Sequence, residues 1–143
     1  LLLNQSNSLY SRYRAMFALR NLNTKESVLA LCSGCSKEES SALFKHEICY
    51  VLGQMAHHAS TNTLSRLLAD ENEHPMVRHE AAEALGNITE EGGNTENDQQ
   101  INDDIQQILT KYQKDDNLIV QQSCHVGLDI HDYWQDELQF DTV

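Results

Sequence analysis

The sequence predicts an all-α fold in which antiparallel helix pairs stack into a repeating array. Three observations carry that prediction. Leu19, Leu52 and Leu85 recur every 33 residues inside segments that align with one another. Within each segment the apolar positions recur at helical intervals. One Pro and six Gly interrupt 143 residues of which 40% are apolar, a balance that suits a packed helical chain rather than a disordered one.

In chain order, the first copy is RYRAMFALRNL (12–22), with its helix expected near 11–22. The second is KHEICYVLGQM (45–55), with a helix near 44–55 and a stripe of Phe44, Ile48, Val51, Leu52 and Met55. The third is RHEAAEALGNI (78–88), with a helix near 77–88 and a stripe of Val77, Ala81, Ala84, Leu85 and Ile88. Pro75 stands just before it, where a helix start tolerates a missing N–H. The fourth is QQSCHVGLDIH (121–131), with a helix near 119–131; its Leu128 comes 43 residues after Leu85. The ten extra residues fall in an acidic, Gly- and Asn-rich stretch around 89–100, expected to be a solvated loop insertion. A shorter amphipathic stretch precedes each later copy, at 27–31, 64–68 and 101–109. Two helices per period make residues 1–143 one HEAT-like α-solenoid domain.

Composition narrows the function classes. Ten basic and 22 acidic residues leave a net charge of −12, which repels nucleic acid and suits a basic partner, or simply keeps the surface solvated. No apolar run approaches the roughly 20 residues of a membrane-spanning helix. The chain opens LLLNQSNSLY, without Met or a basic segment, and reads as the interior of a longer chain rather than a signal peptide. Cys32 and Cys35 form a lone CxxC, and Cys49 and Cys124 fall inside helical patterns. All four read as reduced packing residues, as in a cytoplasmic protein. His57 and His58 follow the second copy and read as loop residues.

The repeats also carry chemistry. One register position holds Tyr13, His46, His79 and Gln122; the next holds Arg14, Glu47, Glu80 and Ser123. Only the two central copies read His-Glu, and both do so at the same place. Stacked helices lie about 8–10 Å apart, so two imidazoles and two carboxylates converge at one level. Two His and a carboxylate with open positions suit non-haem iron. A polar turn near a helix N-terminus, where Glu is favoured by the helix dipole, accounts for the same residues without a metal.

The segments SRYRAMFALRN (11–21), LFKHEICYVLGQ (43–54), HPMVRHEAAEALG (74–86) and VQQSCHVGLDIHDYW (120–134) resemble the C-terminal half of the deoxyhypusine hydroxylase family, over nearly the whole chain. The resemblance implies an iron-dependent monooxygenase with a non-haem di-iron centre, Fe(II), that activates dioxygen. Its substrate would be the deoxyhypusine side chain of eukaryotic translation factor 5A, and its product hypusine. By motif position, His46, His79 and Glu80 would be metal ligands. Glu47 would be a catalytic carboxylate, placed either behind the ligands or near the cationic amine of the substrate. Gly53 and Met76 would also lie near the substrate, although Gly53 equally suits close helix packing and Met76 the filling of a gap between repeats. Family members have two halves and four His-Glu motifs, whereas this chain has two. The remaining ligands would come from an N-terminal half, and this half alone would be inactive. A non-catalytic protein-binding scaffold and a different metal, such as hydrolytic zinc, remain the alternatives.

Overall fold

In the computed structural model, which describes residues 4–38, 41–88 and 96–140, the chain forms seven α-helices and no strand among those residues. They are α1 (Leu9–Leu22), α2 (Lys25–Lys37), α3 (Ala42–Met55), α4 (Thr61–Ala69), α5 (Pro75–Gly86), α6 (Glu96–Tyr112) and α7 (Leu118–Phe140), with a 3-10 turn at His58–Ser60 before α4. Helices α2, α4 and α6 make one layer, and α1, α3, α5 and α7 the other. Each of α2, α4 and α6 packs on the helix that follows it, and α5 packs between α3 and α7. This is the stacked helix-pair solenoid expected from the 33-residue period.

Local chemistry sets the helix starts. Ser8, Ser41 and Thr24 each accept an N–H from the first turn of the helix they open, and Ser27 returns a bond to the Thr24 amide. At α5 the cap is His74, whose Nδ1 accepts the Met76 N–H at 3.1 Å, with Pro75 as first helical residue. The core lies between the layers. Phe44, Ile48, Val51, Leu52, Val77, Ala81, Leu85 and Ile88 are fully buried, against Val28, Leu31, Leu64, Leu68, Ile105 and Leu109.

Small residues decide how closely the second layer packs. A Cβ added at Gly53 would lie 3.0 Å from Ala84 Cα, and one at Gly86 would lie 2.3 Å from the Gly127 carbonyl oxygen. The backbones of α3, α5 and α7 therefore run close together. Gly86→Ala should force α5 and α7 apart and lower stability by about 2–3 kcal/mol, with a smaller loss for Gly53→Ala. Urea unfolding of the two variants checks this, and the reverse order would show that the backbone approach is not what limits packing.

Three expectations need correction. Helix α6 begins at Glu96, inside the stretch expected to be loop. Acidic residues are favourable near a helix N-terminus, Gln99 and Gln100 donate to Asp103 and Asp104 one turn on, and Ile101, Ile105 and Ile108 give the helix an apolar face. Residues 89–95 lie outside the described part. Helix α7 runs to Phe140, nine residues past its expected end, because nothing between 131 and 140 breaks a helix. His58 is in the 3-10 turn rather than a loop, and its Nδ1 lies 3.2 Å from Asp98 of α6. All four cysteines are free and buried; Cys35 Sγ and Cys49 Sγ are 3.9 Å apart.

A second periodic feature was not anticipated. The first three second helices, α1, α3 and α5, each carry a basic residue just before the His register, and each reaches the acidic residue that precedes the next second helix; in α7 the position is Gln121. Arg12 bonds Glu38, Lys45 Nζ lies 2.6 Å from Glu73, and Arg78 forms a forked pair with Asp115. Arg78 Nε also donates to the Leu68 carbonyl at 2.9 Å.

Candidate metal centre

His46 and His79 are each the fifth residue of their helix, α3 and α5. The close α3–α5 approach at Gly53 and Ala84 brings their rings together, with centroids 5.5 Å apart and planes 29° from parallel. Both rings turn Nε2 toward one carboxylate oxygen. Glu80 Oε2 is 3.0 Å from His46 Nε2 and 3.7 Å from His79 Nε2. One ligand atom from each of His46, His79 and Glu80 lies within 4.8 Å of the others, a spacing a single ion can bridge.

Glu47 and Glu80 share a register but not an environment. The carboxylate after each His reaches back to the preceding repeat, so Glu80 meets His46. Glu47 faces α1, where the matching position is Tyr13. Burial pushes the Tyr13 hydroxyl pKa up, and the Glu47 charge pushes it further. Glu47 Oε1 is 3.6 Å from Nδ1 of its neighbour His46, and its side chain is about a third exposed. The same backward reach in the fourth repeat puts Ser123 against His79, with Oγ 3.2 Å from Nδ1. Glu83, one turn after His79, lies 3.5 Å from that nitrogen and accepts the Ser123 hydroxyl at 3.3 Å.

The electrostatics favour a cation. Glu80 is 7% exposed. Burial pushes its carboxyl above the usual range, the His46 and His79 rings pull it down, and the Glu83 and Glu47 charges push it up again. A buried carboxylate beside two more carboxylates and two imidazoles is a donor set short of positive charge. An oxygen and two imidazole nitrogens suit a borderline divalent ion such as ferrous iron. The residues present fit the group that the resemblance implies.

The other singled-out residues flank this group. Met76 is one turn before His79, and its side chain is partly exposed. Gly53 is two turns after His46, buried against Ala84. Three residues before the His register stand Tyr10, Leu43, Met76 and Ile119, all 39–72% exposed, and four after it stand Phe17, Tyr50 and Val126, also exposed, with Glu83 as the one charged member of that row. Two rows, apolar except at Glu83, thus border the ligand row on the open face of the second layer. Glu83 and Ser123 were missed by sequence reasoning. The available signals were the i, i+4 spacing from His79 and the shared register of Ser123 and Glu80.

The family model for HEAT repeats matches residues 30–126, and that for PBS lyase HEAT-like repeats matches 11–37. The chain belongs to the HEAT repeat family. This HEAT chain is also 49% identical to a deoxyhypusine hydroxylase of Danio rerio, over 92% of its own length and 39% of that protein's. Identity to the Drosophila melanogaster deoxyhypusine hydroxylase is 47% over the same shares, and to that of Mycosarcoma maydis 44% over 99% and 41%. Among solved structures, human deoxyhypusine hydroxylase in complex with glycerol matches with a TM-score of 0.79 and 42% identity, over 92% of the HEAT chain and 41% of the human one. The likeness to deoxyhypusine hydroxylases therefore runs through nearly every repeat. The chain spans about two fifths of the length of the curated relatives it matches. No helix among the described residues is long and apolar enough to cross a membrane.

Proposed function

We propose that this HEAT array is the C-terminal half of an iron-dependent monooxygenase that hydroxylates the deoxyhypusine side chain of translation factor 5A to hypusine. The observation that carries the reading is the convergence of His46, His79 and Glu80 within 4.8 Å on adjacent repeats. A non-catalytic scaffold has no use for imidazoles in matched register around a buried carboxylate. His46, His79 and Glu80 would hold one Fe(II) of a non-haem di-iron centre. Iron there would supply dioxygen activation, the chemistry needed to hydroxylate an unactivated C–H bond.

The chain's own residues would bind and orient. Glu47, about a third exposed beside the ligand group, would take the cationic amine of the substrate. Met76 would line the aliphatic part of that side chain, and Gly53 would act by letting α5 close on α3. The net charge of −12 would draw in a basic protein surface. Three ligands leave coordination positions open, and the two largely apolar rows leave a face uncovered. Both support an N-terminal half that closes over this one and supplies the remaining ligands. Buried free thiols suit a cytoplasmic location.

The test is iron quantification and a hydroxylation assay on the complete natural protein, beside this chain alone. The complete protein should hold iron and turn over deoxyhypusine. The 143-residue chain should fold equally well with chelator, since its repeats bury their own apolar stripes, and bind one ferrous ion weakly without turnover. A large chelator-induced fall in its melting temperature, or full activity from it alone, would overturn the half-site reading. An iron-free, inactive complete protein would favour the scaffold.

A further inference from the structure

We infer that Ser123 and Glu83 are positioning residues that fix the proton of His79 on Nδ1 and so present Nε2 as the metal-binding nitrogen. This deepens the proposed metal site and rests on that reading. A neutral imidazole carries one proton, and the hydrogen bond made by one ring nitrogen decides whether the other is free to ligate. Metal-bound His residues usually donate that proton to an outer acceptor.

The geometry around His79 is directional. The Ser123 hydroxyl donates to Glu83 Oε1 at 3.3 Å, which turns its oxygen lone pairs toward Nδ1 at 3.2 Å. Glu83 Oε1 itself stands 3.5 Å from Nδ1. Nδ1 has two acceptors within 3.5 Å, whereas the acceptor on the other side, Glu80 Oε2, stands 3.7 Å from Nε2. The closer partners favour the proton on Nδ1 and leave the Nε2 lone pair on the Glu80 side, where a cation would sit between them. Ser123 is only 5% exposed, and a hydroxyl at that depth needs a partner. The register makes the point a second time. Glu80 occupies the reach-back position for His46 and offers it a carboxylate on the metal side. Ser123 occupies the same position for His79 and approaches the opposite nitrogen. The last repeat thus orients a ligand of the third without being a ligand. Removing such outer acceptors weakens metal binding about tenfold to a hundredfold.

The experiment uses the complete natural protein with Co(II) as the probe metal. In the metal-free wild type, nitrogen-15 NMR of the imidazoles should find His79 protonated on Nδ1. The Ser123→Ala/Glu83→Ala double variant should move that proton toward Nε2 and weaken Co(II) binding about tenfold to a hundredfold. Ser123→Thr, which keeps the hydroxyl, should restore both. A wild-type His79 protonated on Nε2 overturns the inference without any variant. So does a double variant that keeps its helicity, its tautomer and its affinity. If no Co(II) binds near His46, the metal-site reading fails, and the ring-proton measurement still decides the role of Ser123 and Glu83.

Discussion

Glu38→Ala is expected to destabilise the fold by about 3–5 kcal/mol, because its carboxylate is buried. Both partners of the Arg12–Glu38 pair are almost wholly shielded from water. Removing the carboxylate leaves a guanidinium buried against Phe44, 4.3 Å from the ring centroid, and strips the Ser41 amide of its acceptor at 3.0 Å. Glu73→Ala removes the equivalent partner of Lys45, yet both of those side chains keep some contact with water. Its loss should be nearer ~1 kcal/mol. Urea denaturation of the two variants gives the comparison, and equal losses would mean that burial does not set the strength of these pairs. Replacing both members of the first pair, Arg12→Met with Glu38→Leu, should recover most of the stability, because the desolvated charges go together.

In the complete protein, His79→Ala and Glu80→Ala should each weaken metal binding by at least about a hundredfold, beyond what loss of an outer hydrogen bond does. Hydroxylation should fall with the metal. Helicity should hold, since neither side chain belongs to the apolar stripe between the layers. Glu80 should matter more than Glu47 because it alone approaches both rings, at 3.0 and 3.7 Å. Glu47→Ala should keep most of the metal and instead require more substrate for half-maximal rate. Metal analysis and steady-state kinetics separate the two, and equal metal loss from both would refute the division of roles between the carboxylates.

The period and the aligned His-Glu pairs were open to reading because both are properties of register, and register survives in a one-dimensional string. The direction in which each side chain reaches was not. Nothing in the spelling of two identical dipeptides says that Glu80 meets the imidazole of the preceding repeat while Glu47, with Tyr13 at the matching position, stays beside its own neighbour His46. That asymmetry comes from which repeat precedes which. Glu38, Glu73 and Asp115 were hidden for a different reason. Their basic partners repeat every 33 residues, but the acids sit in connections of unequal length, so no fixed spacing relates them. The start of α6 was misread because acidic, Asn-rich text looks like loop, although acids are welcome in a first helical turn. Ser123 was visible in the register but drew no role, because serine is not an expected ligand and its place beside His79 shows only in three dimensions.

The glycines at the helix crossings have a mechanical consequence. Small residues join α3 to α5 and α5 to α7, whereas Arg20 and Val51 stand at the matching positions between α1 and α3. Interaxial distance follows the side chains at the contact, and α1 meets α3 far less extensively than α3 meets α5. The array is thus a spring of uneven stiffness. Bending strain imposed from outside should collect at the α1–α3 seam, with α3, α5 and α7 moving as one block that carries the two imidazoles at an unchanged separation.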